Sequence, residues 1–120
     1  MNEHQEQSAL VQWWGLNHKR FKLPEYALFA IPNGGARHVA VAAKLKAEGV
    51  RKGVPDLELR VSRNGFHALW IEMKHGKNRP TLEQVEFMKW QEEEGAKCVT
   101  CWNWQDAAKE IEVYLSNATR

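Results

Sequence analysis

The sequence has little cysteine, little proline, no long apolar run and no large excess of charge, and each shortage removes a class of protein. Two cysteines in 120 residues, Cys98 and Cys101, are too few for a disulfide-built secreted scaffold. Four Pro and eight Gly, scattered without period, exclude collagen-like and linker-like chains. The apolar run at 39–43 (Val-Ala-Val-Ala-Ala) is typical of the longest. It falls far below the ~18–20 residues that span a bilayer. The first residues, Met-Asn-Glu-His-Gln-Glu-Gln, are polar and lack the apolar stretch of a signal peptide. A soluble protein in a reducing cytoplasm is expected, with neither a membrane nor a nucleotide cofactor as partner. A formal net charge of +2 does not by itself announce a nucleic-acid binder.

What remains is ordinary globular material with an aromatic bias: 43% hydrophobic and 27% charged residues, and six Trp. This length supports one domain over residues 1–120 with one hydrophobic core. The charge is unevenly placed. Residues 18–52 carry eight Lys/Arg (Lys19, Arg20, Lys22, Arg37, Lys44, Lys46, Arg51, Lys52) against Glu25 and Glu48. Residues 83–94 carry five Glu against Lys89. Such asymmetry suits one face meeting phosphate, although a lysine-decorated, solvated helix would give the same pattern.

The hydrophobic pattern alternates between periods. A helix is expected over 3–16, with Glu3, Gln7, Leu10 and Trp14 along one side. After a basic connector closed by Pro24 come a short strand (27–31) and a Pro-Asn-Gly-Gly turn. A helix over 36–48 follows, with Val39, Ala43 and Leu45 or Lys46 as its apolar positions, stopped by Gly49. Residues 54–61 and 66–74 read as two strands joined by an Arg63-Asn-Gly65 hairpin signal. The second is apolar on both faces until Glu72, which marks a central strand covered by helices on each side. Thr81 and Gln84 form a capping box that opens a helix ending at Gly95. A strand over 97–102 and a helix over 104–117, with Ala107, Ala108, Ile111 and Leu115 inward, complete the order α, β, α, ββ, α, β, α. The fold class is α/β: a single domain with a mixed sheet flanked by helices.

The chemistry concentrates on the hairpin. Residues i and i+2 of a strand project from one face, so Glu72 and Lys74 point together while Met73 turns into the core. The neighbouring strand brings Asp56 within reach. Two carboxylates at a sheet end form a hard-oxygen site suited to Mg²⁺ or Mn²⁺. A lysine beside such an ion orients or helps deprotonate water, or offsets charge building on a phosphate. The competing explanation is an edge salt bridge, worth at most ~1 kcal/mol.

Gly53-Val-Pro-Asp56 and Ile71-Glu-Met-Lys74 together resemble the PD-(D/E)xK nuclease signature, on a restriction-endonuclease-like core. Ile31-Pro-Asn-Gly-Gly35 with Arg37, the Lys46-Ala-Glu-Gly49 helix end, Gln84 and the Gly95 that precedes a strand narrow the likeness. In this order, over about residues 3 to 115, the chain resembles the VRR-NUC family of virus-type replication-repair nucleases. The resemblance implies metal ligation by Asp56, Glu72 and the Met73 carbonyl, a catalytic Lys74 and an auxiliary Gln84. It also implies a Glu from the first helix near the metal: Glu3 fits the Glu-x-x-x-Gln pattern with Gln7, and Glu6 competes. The short length resembles stand-alone phage members, implying a homodimer that cuts branched DNA such as four-way junctions in the host cytoplasm.

DNA contacts are expected from Asn33, Gly34, Gly35 and Arg37 at a strand-to-helix turn, where free N–H groups face an anion, and from Lys52, His75 and Lys77. The turn's glycines have an equally good conformational reason, and for His75 and Lys77 a solvated loop is the slightly better reading. Cys98-Val-Thr-Cys101 lacks the second pair that a zinc site needs, and on a strand its thiols point apart, so two buried reduced thiols are expected. His18, His38, His67 and His75 lack the spacing of a shared metal site, and His4 sits on an N-terminal helix. Trp13, Trp14, Trp70 and Trp90 are expected in the core or at a dimer interface. Two further functions fit the same residues: a nickase, flap or single-strand nuclease working beside a helicase, or a silent DNA-binding subunit. Intact Asp56, Glu72 and Lys74 argue against the silent subunit.

Overall fold

Asn2 opens the first helix by accepting from the Gln5 backbone N–H while the Gln5 side chain accepts from its own, a capping box that starts α1 (Glu3–Asn17). The protein is described by a computed structural model over residues 1–32 and 38–116. The expected phosphate contacts Asn33, Gly34, Gly35 and Arg37 lie outside the described residues. Among the described residues α1 is followed by β1 (Leu28–Ala30), α2 (Val39–Ala47), β2 (Leu57–Leu59), β3 (Leu69–Met73), α3 (Leu82–Glu93), β4 (Lys97–Cys101) and α4 (Trp104–Ser116).

The strands form one mixed sheet in the order β1-β2-β3-β4. β1 and β2 pair antiparallel, as do β2 and β3, whereas β4 runs parallel to β3 through the α3 crossover. β3 is therefore central, as its apolar faces required. Regular pairing is shorter than the apolar stretches. β2 keeps three residues of 54–61, because Pro55 has no N–H to give the ladder and the chain bulges after Leu59. β3 starts at Leu69 rather than at residue 66 for the same reason.

One sheet face carries Leu57, Leu59, Leu69, Ile71 and Met73, which are buried with Leu10 and Trp14 of α1 and Ala107, Ile111 and Leu115 of α4. The other face meets α3, where Trp70 packs edge-on to Phe87 with ring centroids 5.3 Å apart. α2 departs from expectation: it buries none of its residues, and Val39 is 81% exposed. Its sequence, Val-Ala-Val-Ala-Ala-Lys-Leu-Lys-Ala, is apolar nearly all round and defines no single face for the sheet to cover. The tryptophans divide as well: Trp14 is buried, whereas Trp90 on α3 is 57% exposed. Both cysteines are free; Cys101 is buried in the core, but Cys98 is only partly covered, against the Met88 carbonyl of α3. No described helix is long and apolar enough to cross a membrane.

Candidate active site

The site depends on how the hairpin closes. Asn64 (φ 48°) and Gly65 (φ 87°) make the tight turn, and Arg63 and Phe66 exchange backbone hydrogen bonds of 2.9 and 2.8 Å across it. Leu59 then pairs with Leu69, so residues 60–62 on one arm face only 67 and 68 on the other. One extra residue in one arm is a β-bulge. Continued past Leu57↔Ile71, this register sets Asp56 opposite Glu72. A bulge-free ladder from the same turn would set it opposite Met73. Tyr114 of α4 fixes the bulge, its hydroxyl donating to the Val61 carbonyl at 2.6 Å.

Asp56 is held from two sides. Its backbone carbonyl accepts from Ile31 N–H at 2.8 Å, and its Oδ2 accepts from Met73 N–H at 2.7 Å. Glu72 is 2% exposed. Its Oε2 takes the Lys74 Nζ at 3.2 Å and the Gln84 Nε2 at 2.9 Å. Its Oε1 is buried and has no hydrogen-bond partner. Gln84 serves the cap and the site at once, since its Oε1 accepts from Thr81 N–H at 2.8 Å. A Glu there would complete the capping box equally well but would face Glu72 with a like charge.

Burial first, and then the charge of Asp56, raise the Glu72 carboxyl from 4.5 to about 7, with Lys74 opposing both. Asp56 is raised too, first by burial, with the Met73 N–H bond pulling it back. Such an arrangement suits a cation: two carboxylates whose burial makes them resist losing their protons lose them readily to a divalent ion. Among the described residues no group of three His, Cys, Asp or Glu side chains gathers closely enough to hold a metal. The site's own donors are therefore the two carboxylates, and the bare Glu72 Oε1 is the atom that fits an ion.

The remaining expected residues fall on either side of this centre. Glu3 faces it: its charge raises both Asp56 and Glu72, and its Oε2 lies 3.4 Å from Asn78 Nδ2. Glu6 is used elsewhere, accepting from Trp104 N–H at the start of α4. Met73 sends its side chain into the core and its N–H to Asp56. His75 and Lys77 lie exposed on the loop that leaves β3, and Lys52 lies exposed on the loop that leads to Asp56. Sequence reasoning missed Arg79 and Trp102. Arg79 continues the cationic loop and lies 5.4 Å from the Trp102 ring centroid; the sequence signal was the run of cations that starts at Lys74.

A mixed sheet with two acids and a lysine meeting at the end of its central hairpin has the core arrangement of a restriction-endonuclease-like nuclease. A solved structure described as a "VRR_NUC domain protein" has this fold, with a TM-score of 0.83 and 25% sequence identity over 99% of this chain and 92% of that one. Likeness over nearly the full length of both chains supports the VRR-NUC family, and with it a nuclease-type domain. No family model and no curated protein matches the sequence itself.

Proposed function

We propose that residues 1–120 form a Mg²⁺- or Mn²⁺-dependent DNA endonuclease that hydrolyses phosphodiester bonds and prefers branched DNA, such as a four-way junction, to a particular base sequence. The buried, unpartnered Glu72 Oε1, on the strand beside Asp56, carries this reading. A bound divalent ion supplies Lewis-acid activation of water and neutralises charge on the phosphate. Asp56 and Glu72, with the Met73 carbonyl, hold it, and Glu3 adds charge at the same place. Gln84 and Lys74 grip one oxygen of Glu72, which leaves the other free to ligate. Lys74 meanwhile has its ammonium beside the scissile group, placed to donate to a phosphate oxygen or to orient the attacking water.

Phosphate contacts come from His75, Lys77 and Lys52, joined by Asn33, Gly34, Gly35 and Arg37, which precede α2 in sequence. Symmetric cutting of a junction needs two such sites, so the reading includes a homodimer. Exposed apolar residues on α2 (Val39) and α3 (Leu82, Trp90) are the surface that a second copy would remove from water. The test is cleavage of labelled four-way and linear DNA with and without Mn²⁺, by wild type, Glu72→Ala and Lys74→Ala. Cleavage that survives either substitution undiminished overturns the site. A monomer in sedimentation at micromolar concentration overturns the dimer.

A further inference from the structure

Beside the carboxylates the chain builds a second feature that the hydrolytic reading leaves unused. Trp102 is the residue after Cys101, whose carbonyl accepts the Lys74 N–H at 2.9 Å, so the indole begins where the catalytic lysine is anchored. Its Nε1–H donates to the Asn78 carbonyl at 2.9 Å, and Asn78 Nδ2 in turn reaches Glu3. The loop 75–80 is thus slung between the indole and the acidic centre. Its cations Lys77 and Arg79 are exposed beside His75, and none of the three is within ion-pair distance of an acid among the described residues. On the sheet side Trp102 lines a groove of about 390 Å³ between β4 and α4, together with Thr100, Asp106, Lys109 and Glu110.

The two sides of the indole differ in chemistry. The loop side offers unpaired cations, which attract phosphate. The groove side mixes Lys109 with two carboxylates, Asp106 and Glu110, and carboxylates accept hydrogen bonds from the exocyclic amines of cytosine and adenine. An aromatic ring stacks on any base that is free of its own stack. Phosphate on one side, and an amine-bearing aromatic ring on the other, describe one nucleotide. Resting on the nuclease reading, we propose that Trp102 and Arg79 form a stacking site for an unpaired nucleobase next to the scissile linkage. A continuous duplex keeps its base faces covered and cannot use such a site; a flap, a frayed end or an opened branch point can. The same device would let the domain prefer DNA structure over sequence without any base-reading helix.

The test uses the full chain with divalent ions chelated, so that binding is read apart from cleavage. The probes are a flapped duplex with 2-aminopurine in its first unpaired position and a continuous duplex with 2-aminopurine inside. Wild type is expected to quench the first and not the second. Trp102→Ala is expected to abolish the quenching and to weaken flap binding about 5- to 150-fold, the range of one base–aromatic stack. Trp102→Phe keeps a ring but loses the Nε1–H bond to Asn78, so it restores quenching if the ring is a platform. No quenching by wild type overturns the proposal, as does Trp102→Phe behaving like Trp102→Ala, which would make the indole a loop anchor only. Circular dichroism establishes that each variant is folded. Should Trp102→Ala not fold, Arg79→Ala takes its place, and flap binding equal to wild type then overturns the site. Failure of the nuclease reading shows separately: no Mn²⁺-dependent cutting of any DNA by wild type, whatever the quenching.

Discussion

Removing divalent ions should make the protein's stability fall as pH rises through neutrality, and Glu72 should be the cause. Its carboxyl ionises at about 7 in the folded chain against an ordinary 4.5. Between those values the folded state binds more protons than the unfolded one, so unfolding becomes easier with each step up in pH. The stabilisation from the protonated form is complete below pH 4.5 and is lost by the time pH passes about 7. At 1.36 kcal/mol per pH unit the gap corresponds to about 3 kcal/mol. For a chain of this length that is roughly a 10 °C change in melting temperature. The measurement is thermal melting in chelator between pH 5 and 8, for wild type and Glu72→Gln. Carboxylates away from the site titrate alike in both proteins, so the difference between the two curves isolates the Glu72–Asp56 pair. From acid to neutral pH wild type should lose stability relative to the variant, and Mn²⁺ at pH 8 should raise the melting temperature of wild type far more than that of the variant. Parallel curves with no response to Mn²⁺ would refute both the buried charge and the ion that relieves it.

Three further outcomes follow from the supports of the site. Gly53 has φ 89°, and a Cβ there would lie 2.6 Å from the Glu83 carbonyl group, so Gly53→Ala should destabilise by about 2–4 kcal/mol in urea denaturation. Because residue 53 leads to Asp56, the same variant should also lose cleavage. Tyr114→Phe removes the hydroxyl that holds the bulge, and should cost about 1–2 kcal/mol in the same experiment; an unchanged midpoint would mean that the bulge needs no clamp. Burial pushes both Cys98 and Cys101 up to about 12, so a thiol reagent at pH 8 should react orders of magnitude more slowly with native protein than with protein in urea.

Much of the fold was legible because its elements satisfy local rules. The α4 stripe of Ala107, Ala108, Ile111 and Leu115 is buried as its spacing required, joined by Tyr114. Gly49 (φ 103°) stops α2, and the Thr81–Gln84 box starts α3. The acid from the first helix was half legible. Glu3 shares a helical face with Leu10 and Trp14, and that face turns toward the sheet, whereas Glu6 borders it and is taken up by the N-terminus of α4. Tertiary decisions were not legible. Nothing local says that α2 is left uncovered, that Gln84 reaches Glu72 as well as its cap, or that Trp102 swings onto the loop after Lys74. Each depends on a residue distant in sequence, and a capping residue looks the same whether or not its spare amide has a second partner.

The register of the hairpin joins the two kinds of information. Two-residue turn chemistry at Asn64-Gly65 pairs Arg63 with Phe66, which, run back without interruption, sets Leu57 opposite Glu72 and Asp56 opposite Met73. Directly opposed residues share a sheet face, so that ladder would put an apolar and an acidic side chain together on both faces. The core instead needs Leu57 and Leu59 on the face of Leu69, Ile71 and Met73, one residue out of step. Turn and core disagree by one residue, and a single-residue bulge reconciles them. Once the core has imposed its register, Asp56 and Glu72 share the opposite face with no further instruction. The carboxylate pair is thus a by-product of burying five apolar side chains, and the conflict that forces the bulge is already present in the spacing of Leu57, Leu59, Asn64-Gly65, Leu69 and Ile71.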